Sequence, residues 1–202
     1  MSKGRGWLGI LVLPLLLSGC LLTLGAPLSR RVEPGRWRLE AAAGPSLYNE
    51  FGILDGLAYG YAGRALGRHW EVGFLPYLYS FGGEAVLTLA VPLRWDPFPY
   101  SWPLHLVPFA GPLGFYVPGT AVSGGGLAGL GLCLRVGELA EFYASGSSFL
   151  PLAQFFTSSV GARFDLANGF QLGVGAVFQK GGEDDRGLAL ASITVSTLLG
   201  SK

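Results

Sequence analysis

Few side chains of this 202-residue sequence could perform nucleophilic or acid–base chemistry. The sequence has two histidines, His69 and His105, and two cysteines, Cys20 and Cys133. A Ser–His–carboxylate triad needs a histidine within reach of both of its partners. Neither histidine lies beside a recognisable nucleophile motif. The sequence therefore predicts no catalytic residues.

Two further segments contain residue types that bind metals or phosphates. The loop GGEDDRG holds Glu183, Asp184 and Asp185, but three consecutive carboxylates lack the spaced ligands of a calcium loop. We therefore interpret it as a solvated hairpin tip. Residues 123–126, SGGG, lack the Lys-Ser/Thr of a phosphate loop and are interpreted as a flexible loop. Cys133 alternates with Gly131 and Arg135 on one face and is predicted to be a lone small interior residue, not a ligand. No metal site and no cofactor is expected.

Charge and hydropathy exclude several classes of protein. Lys and Arg number 14 against 13 Asp and Glu, which argues against a nucleic-acid-binding protein with a basic stripe. The mean hydropathy is +0.44, yet beyond the N-terminus no run of about 20 apolar residues could form a membrane-spanning helix. The 33 Gly, 13 Phe, 8 Tyr and 5 Trp instead favour β-structure with apolar surroundings.

From Arg36 onward the apolar residues recur with period two, which predicts strands. In residues 169–180, Phe170, Leu172, Val174 and Phe178 share one face, and the opposite face is mostly Gly and Gln. About ten segments of this type, with eight or nine as alternatives, predict an all-β, antiparallel up-and-down β-barrel after an N-terminal signal helix. The segments are residues 36–44, 57–66, 69–80, 85–95, 104–117, 127–136, 139–146, 154–166, 169–180 and 187–199. The segment 104–117 is the weakest, because Pro108 and Pro112 imply an edge or a bulge.

The second face of these strands consists mostly of small residues and isolated charges of both signs. Small residues and balanced charges suit a narrow barrel interior in which ion pairs cross the lumen, with the apolar face towards lipid. The proposed lumen charges are Arg38, Glu40, Arg64, Glu71, Arg94, Arg135, Glu141, Arg163 and Asp165.

Turn lengths and tryptophans indicate the orientation of the barrel. Short connections are expected at 67–68, 137–138 and 168–169, and longer external ones at 45–56, 118–126, 147–153 and 181–186. Residues 96–103, DPFPYSWP, are an exception, since they form a long turn at the end of the barrel where short turns are expected. Four tryptophans fall near that same end, as in an aromatic belt. They are Trp37, Trp70, Trp95 and Trp102.

The N-terminus has the features of an export signal. Lys3 and Arg5 precede an apolar stretch, and the segment ends Leu17-Ser18-Gly19-Cys20. This ending resembles the lipobox of bacterial lipoproteins. The resemblance implies cleavage before Cys20 and acylation of that residue, a stable anchor when two or more chains are added. An uncleaved anchor helix is the alternative.

This assignment divides the chain into a signal peptide (1–19), an acylated cysteine and tether (20–35) and a β-barrel domain (36–202). Leu21 differs from the Asp that resembles an inner-membrane retention signal in enteric bacteria. The resemblance therefore implies a lipid-anchored protein of the outer membrane. The expected partners are membrane lipids, through the acyl chains and the apolar barrel face, and no nucleic acid.

Residues 57–75, LAYGYAGRALGRHWEVGFL, resemble a strand-turn-strand unit of bacterial outer-membrane β-barrel proteins. As a pattern, the resemblance extends over most of residues 36–199. The chain departs from that family at its end, Leu199-Gly200-Ser201-Lys202, because such barrels usually end in an aromatic residue. The resemblance implies a non-enzymatic barrel with a structural, adhesive or narrow-channel role.

Two alternative functions are kept. Gly35-Arg36-Trp37 resembles the G-x-W that opens lipocalins, which implies a tethered periplasmic barrel carrying a hydrophobic ligand. Such a calyx needs large apolar side chains facing inward, whereas the inward face proposed here is Gly and charge. The second alternative is a barrel enzyme acting on lipid, which requires His69 or His105 to lie beside a serine and a carboxylate.

Overall fold

The computed structural model describes residues 35–49, 54–81, 84–116, 123–150, 156–166, 170–181 and 186–199. The signal peptide, the lipobox residues Leu17, Ser18 and Gly19, Cys20 and the tether up to residue 34 lie outside the described residues. The predicted turn at 168–169 and the acidic cluster at 183–185 also lie outside them.

Eleven strands make up the described part of the chain. They are β1 Trp37–Asn49, β2 Leu54–Ala65, β3 Trp70–Phe81, β4 Glu84–Ala90, β5 Leu93–Trp95, β6 Leu104–Tyr116, β7 Ser123–Val136, β8 Ala140–Leu150, β9 Phe156–Asp165, β10 Phe170–Gly181 and β11 Arg186–Leu199. In the described residues no helix is long and apolar enough to cross a membrane.

The strands form one closed antiparallel sheet. Strands that follow one another along the chain pair, except that β4 and β5 both pair with β3 and β6, and β1 pairs with β11, so that these strands leave no edge. β4 and β5 together fill one strand position of the barrel, between β3 and β6. Their pairing with β3 shows this, because Leu75 lies opposite Ala90 and, in the same register, Val72 lies opposite Leu93. The result is a ten-stranded up-and-down barrel, which confirms the predicted fold class.

The break between β4 and β5 has a local cause in two prolines. Pro92 lacks an N–H and cannot donate to the ladder. Opposite the break, the N–H of Val91 donates to the carbonyl of Pro112 over 3.0 Å. In an antiparallel strand, the N–H and C=O of one residue face the same neighbouring strand. The nitrogen of Pro112 therefore faces the break between β4 and β5, and because it carries no hydrogen it cannot donate a bond there. β6 keeps one register with β7 throughout. The prediction of an edge or a bulge in residues 104–117 is therefore wrong.

The predicted alternation of long and short connections is also wrong. The strands extend further than the sequence pattern indicated, and the segments between them at one end are residues 50–53, 82–83, 117–122, 151–155 and 182–185. Residues 123–126, interpreted as a flexible loop, form the start of β7. Gly124, Gly125 and Gly126 lie opposite Gly114, Leu113 and Pro112 of β6. The ladder continues there because a closed barrel offers these backbone groups a partner.

The two surfaces of the sheet are inverted relative to a water-soluble barrel. The described residues include 31 large hydrophobic side chains that are exposed, among them Leu132, Phe142, Val174 and Ile193. The interior instead buries arginines, glutamates and hydroxyl side chains. Among strand residues whose side chains the structure describes, Arg64 is the one exposed charge. The outer surface is therefore apolar around the barrel.

Candidate functional site: the charged interior of the barrel

Most of the predicted lumen charges lie inside the barrel. Six of the nine are buried: Arg38, Glu40, Glu71, Arg94, Glu141 and Arg163. Arg135 and Asp165 are half-buried at the end of the barrel where β1 begins and β11 ends. Arg64 is exposed.

The first cluster is centred on Arg163. Its Nη2 atom donates to Oε1 of Glu40 over 2.9 Å, and its Nη1 lies 3.7 Å from Oε1 of Glu141. Glu141 lies directly opposite Arg163 in the β8–β9 register, so strand pairing places these two side chains together. Tyr59 donates its hydroxyl to Glu40 over 3.3 Å. The guanidinium also lies 4.9 Å from the ring centre of Tyr143.

The second cluster joins β2, β3 and β5. Arg94 lies opposite Glu71 in the register, and its Nη1 donates to Glu71 Oε1 over 2.7 Å. The hydroxyl of Tyr61 donates to the same carboxylate oxygen. A Cβ atom on Gly63 or Gly73 would overlap the ring of Tyr61. These two glycines therefore make room for the ring that completes the cluster.

A weaker pair lies at the rim. Arg135 Nη2 is 3.7 Å from Asp165, and both side chains retain solvent contact. Arg135 also donates to the carbonyl oxygens of Gly137, over 3.0 Å, and Glu138, over 3.4 Å. These bonds hold the turn between β7 and β8 in place.

Arg64 does not face the lumen as predicted. It lies opposite Trp37 in the β1–β2 register, on the outer face, and its guanidinium is 5.3 Å from the centre of the Trp37 ring. The buried residues of β2 are Tyr59, Tyr61, Gly63 and Ala65. Because both faces of β2 carry small residues, the alternation alone did not identify the inner face.

Sequence analysis missed a buried acid beside one of the histidines. Asp96 and His105 are buried, and His105 Nδ1 lies 2.7 Å from Asp96 Oδ2. The other ring nitrogen of His105 lies 2.8 Å from the carbonyl oxygen of Trp102. A general base needs that nitrogen available for a nucleophile, so this dyad instead fixes the 96–103 turn. The excess length of that turn was the signal that could have indicated a structured element.

His69 lies in the neighbouring turn between β2 and β3 and contacts the 96–103 turn. Its Nδ1 is 2.9 Å from the main-chain oxygen of Asp96. In the described residues no serine contacts either histidine through a hydrogen bond that the structure shows, and no group of three metal-binding side chains occurs.

The interior is also more apolar than the sequence analysis proposed. Large side chains fill the wall formed by β3, β6 and β7, including Leu75, Phe109, Leu113 and Leu127, all at most 4% exposed. The opposite wall carries small hydroxyl residues, which are Ser147, Thr157, Ser159, Ser192, Thr194 and Ser196. Tyr143 extends over this wall, since a Cβ atom on Gly161 or Gly175 would meet its hydroxyl. Side chains therefore occupy the lumen at the level of the clusters.

No family model matches the chain, and no curated protein matches it. Among solved structures, the chain is similar to the N-terminal β-barrel domain of OprF from Pseudomonas aeruginosa, with 13% identity, 82% of this chain and 98% of that chain covered, and a TM-score of 0.41. It is also similar to the translocator domain of the autotransporter NalP from Neisseria meningitidis, with 12% identity, 96% and 97% covered, and a TM-score of 0.45. A third similar structure is an outer membrane channel from Pseudomonas putida F1, with 10% identity, 84% and 97% covered, and a TM-score of 0.48.

Proposed function

We propose that this chain is a small, non-enzymatic β-barrel of the bacterial outer membrane, anchored in addition by acyl chains on Cys20, with a structural or adhesive role. The observation that carries this proposal is the inverted barrel, apolar outside and ionic inside. A bilayer requires every backbone polar group of a spanning segment to be satisfied internally, and a closed barrel does so.

The outer surface supports insertion by its composition and by its tryptophans. Soluble monomers rarely expose contiguous apolar patches above a few hundred Å², whereas here, among the side chains that the structure describes, every strand except β2 exposes large apolar ones. Trp37, Trp70, Trp95 and Trp102 are exposed near one end, as expected of a belt at a membrane–water interface. Arg64 lies beside Trp37 in that belt, where an arginine reaches the headgroup region.

The filled interior favours a structural role over a wide pore. Arg163 and Arg94 each hold a carboxylate inside the lumen, and tyrosine rings extend over the glycines beside them. A narrow channel is the second candidate, because the hydroxyl wall that includes Ser159, Ser192 and Ser196 is polar and buried.

The two other functions considered fit this geometry less well. A soluble carrier would place its charges on the outer surface and keep an open inner cavity, whereas here six charged side chains of the strands are buried in a filled lumen. An enzyme on the Asp96–His105 dyad would need the histidine nitrogen that lies 2.8 Å from the Trp102 carbonyl.

Alkaline washing of membranes tests the proposal directly. The variant Cys20→Ala, given a cleavable signal peptide, removes the acylation site and leaves the barrel unchanged. We expect it to stay in the outer-membrane fraction after carbonate extraction, as an integral protein does. Release into the supernatant would mean that acyl chains are the only anchor, and would contradict insertion of the barrel. Labelling of the unaltered protein with radioactive palmitate, lost in Cys20→Ala, tests the anchor separately.

A further inference from the structure

A cleft lies between two neighbouring turns at the end of the barrel that carries the tryptophans. Its volume is about 370 Å³, within the range of small-molecule sites. One side is formed by Tyr100, Ser101 and Trp102 of the 96–103 turn, and the other by Arg135 and Glu138 beside the β7–β8 turn. The N–H of Arg135 donates to the carbonyl of Pro103 over 2.7 Å, which joins the two sides.

Both sides of the cleft are held in a defined conformation. The Asp96–His105 dyad and the stacking of Phe98 on Trp102, with ring centres 5.5 Å apart, fix the first turn. Arg135 fixes the second turn through the carbonyl oxygens of Gly137 and Glu138. A site whose shell is fixed before binding loses less conformational entropy when a ligand enters.

The cleft combines opposite charges with aromatic rings. Arg135 supplies a guanidinium suited to a phosphate, and Glu138 supplies an exposed carboxylate. The rings of Tyr100 and Trp102 can face an ammonium group. Trp102 is 51% exposed and belongs to the tryptophan belt, so the cleft is continuous with the membrane interface.

We propose that this cleft binds the headgroup of a zwitterionic phospholipid that carries a primary ammonium, as phosphatidylethanolamine does. Its phosphate lies at Arg135, its ammonium at Glu138 and the aromatic rings, and its acyl chains extend along the belt below Trp102. The proposal rests on the proposed membrane location. An anionic lipid would bring no ammonium to compensate Glu138, so the site discriminates against it.

Native mass spectrometry of the folded protein, released from mixed micelles with equal phosphatidylethanolamine and phosphatidylglycerol, measures this preference. We expect phosphatidylethanolamine to be retained about tenfold better, the effect of one charge-assisted hydrogen bond. Glu138→Gln should abolish the preference, and Arg135→Gln should lower retention of both lipids. Arg64→Gln, on the belt but outside the cleft, is the matched control and should leave the preference between the two lipids unchanged.

Equal retention of the two lipids by the unaltered protein, or an unchanged preference in Glu138→Gln, would overturn the proposal. Far-UV circular dichroism of each variant verifies that the barrel is folded. Soluble phosphoethanolamine should compete only weakly, because it lacks acyl chains, and competition equal to that of the lipid would overturn the assignment to a membrane lipid. Carbonate release of Cys20→Ala would refute the membrane location independently of this binding measurement.

Discussion

Arg163 and Glu40 form a buried ion pair across the barrel, with 2.9 Å between Nη2 and Oε1, although 123 positions separate them in sequence. Arg163 is on β9 and Glu40 on β1, and neither strand is a neighbour of the other in the sheet. The pair therefore spans the interior and depends on closure of the barrel.

Removing one partner of the Arg163 cluster should lower the free energy of unfolding. Arg163→Leu would remove the guanidinium that lies against both buried carboxylates, Glu40 and Glu141, and such losses destabilise by about 3–5 kcal/mol. Urea unfolding of the protein in lipid vesicles, followed by circular dichroism, measures the change. Arg163→Leu combined with Glu40→Gln should recover part of the loss, since one unpaired charge is then gone.

The arginines at the barrel surface provide controls for that experiment. The ion pair of Arg135 is 3.7 Å long and partly solvated, so its own contribution is about 0–1 kcal/mol. Arg64 lies on the outer face near the belt, where a charged side chain costs about 0–1 kcal/mol in lipid. Arg64→Leu should therefore change the free energy of unfolding by no more than that amount. Losses as large as that of Arg163→Leu in both Arg135→Leu and Arg64→Leu would contradict the distinction between the buried lumen charges and these solvent- or lipid-exposed arginines.

Two glycines of similar sequence context should respond differently to alanine. A Cβ atom on Gly73 would overlap the ring of Tyr61, whereas a Cβ atom on Gly60 would meet Pro76 at an ordinary 3.5 Å. Gly73→Ala should displace Tyr61 from Glu71 and cost about 1–3 kcal/mol, the effect of overpacking. Gly60→Ala is the control and should be nearly neutral. Equal unfolding midpoints for the two variants would refute the packing described here.

The filled lumen predicts little ion conduction. Planar-bilayer recordings of the unaltered protein should show no wide-pore currents, because side chains fill a barrel of this size. Tyr143→Ala, which uncovers Gly161 and Gly175, should increase the current relative to Tyr116→Ala, a substitution on the exposed face. Large currents from the unaltered protein would favour the channel function.

Both termini of the barrel should lie on one side of the membrane. Trp37 at the start of β1 lies opposite Leu199 at the end of β11, and ten crossings return the chain to its starting side. An epitope tag after Lys202 and one inserted at 119–120 should therefore lie on opposite sides of the membrane, so that antibody reaches only one of them in intact cells. Exposure of both tags on intact cells would contradict this topology.

Much of the fold was predictable from local alternation. Apolar residues with period two identified ten strand positions, because successive side chains of a strand point to opposite faces. That rule also assigned eight of the nine charges to inward positions, six buried and Arg135 and Asp165 half-buried. It failed for Arg64, because small residues on both faces of β2 left the inner face undefined.

The sequence by itself determined the strand periodicity, the balance of charges and the grouping of the tryptophans, since these follow from composition, local alternation and position at the ends of the strands. Only the tertiary structure decided which charges meet, because Arg163 reaches Glu40 through barrel closure. It also decided the role of the 96–103 turn. Asp96 and His105 are nine positions apart, and the folded turn alone brings their side chains together.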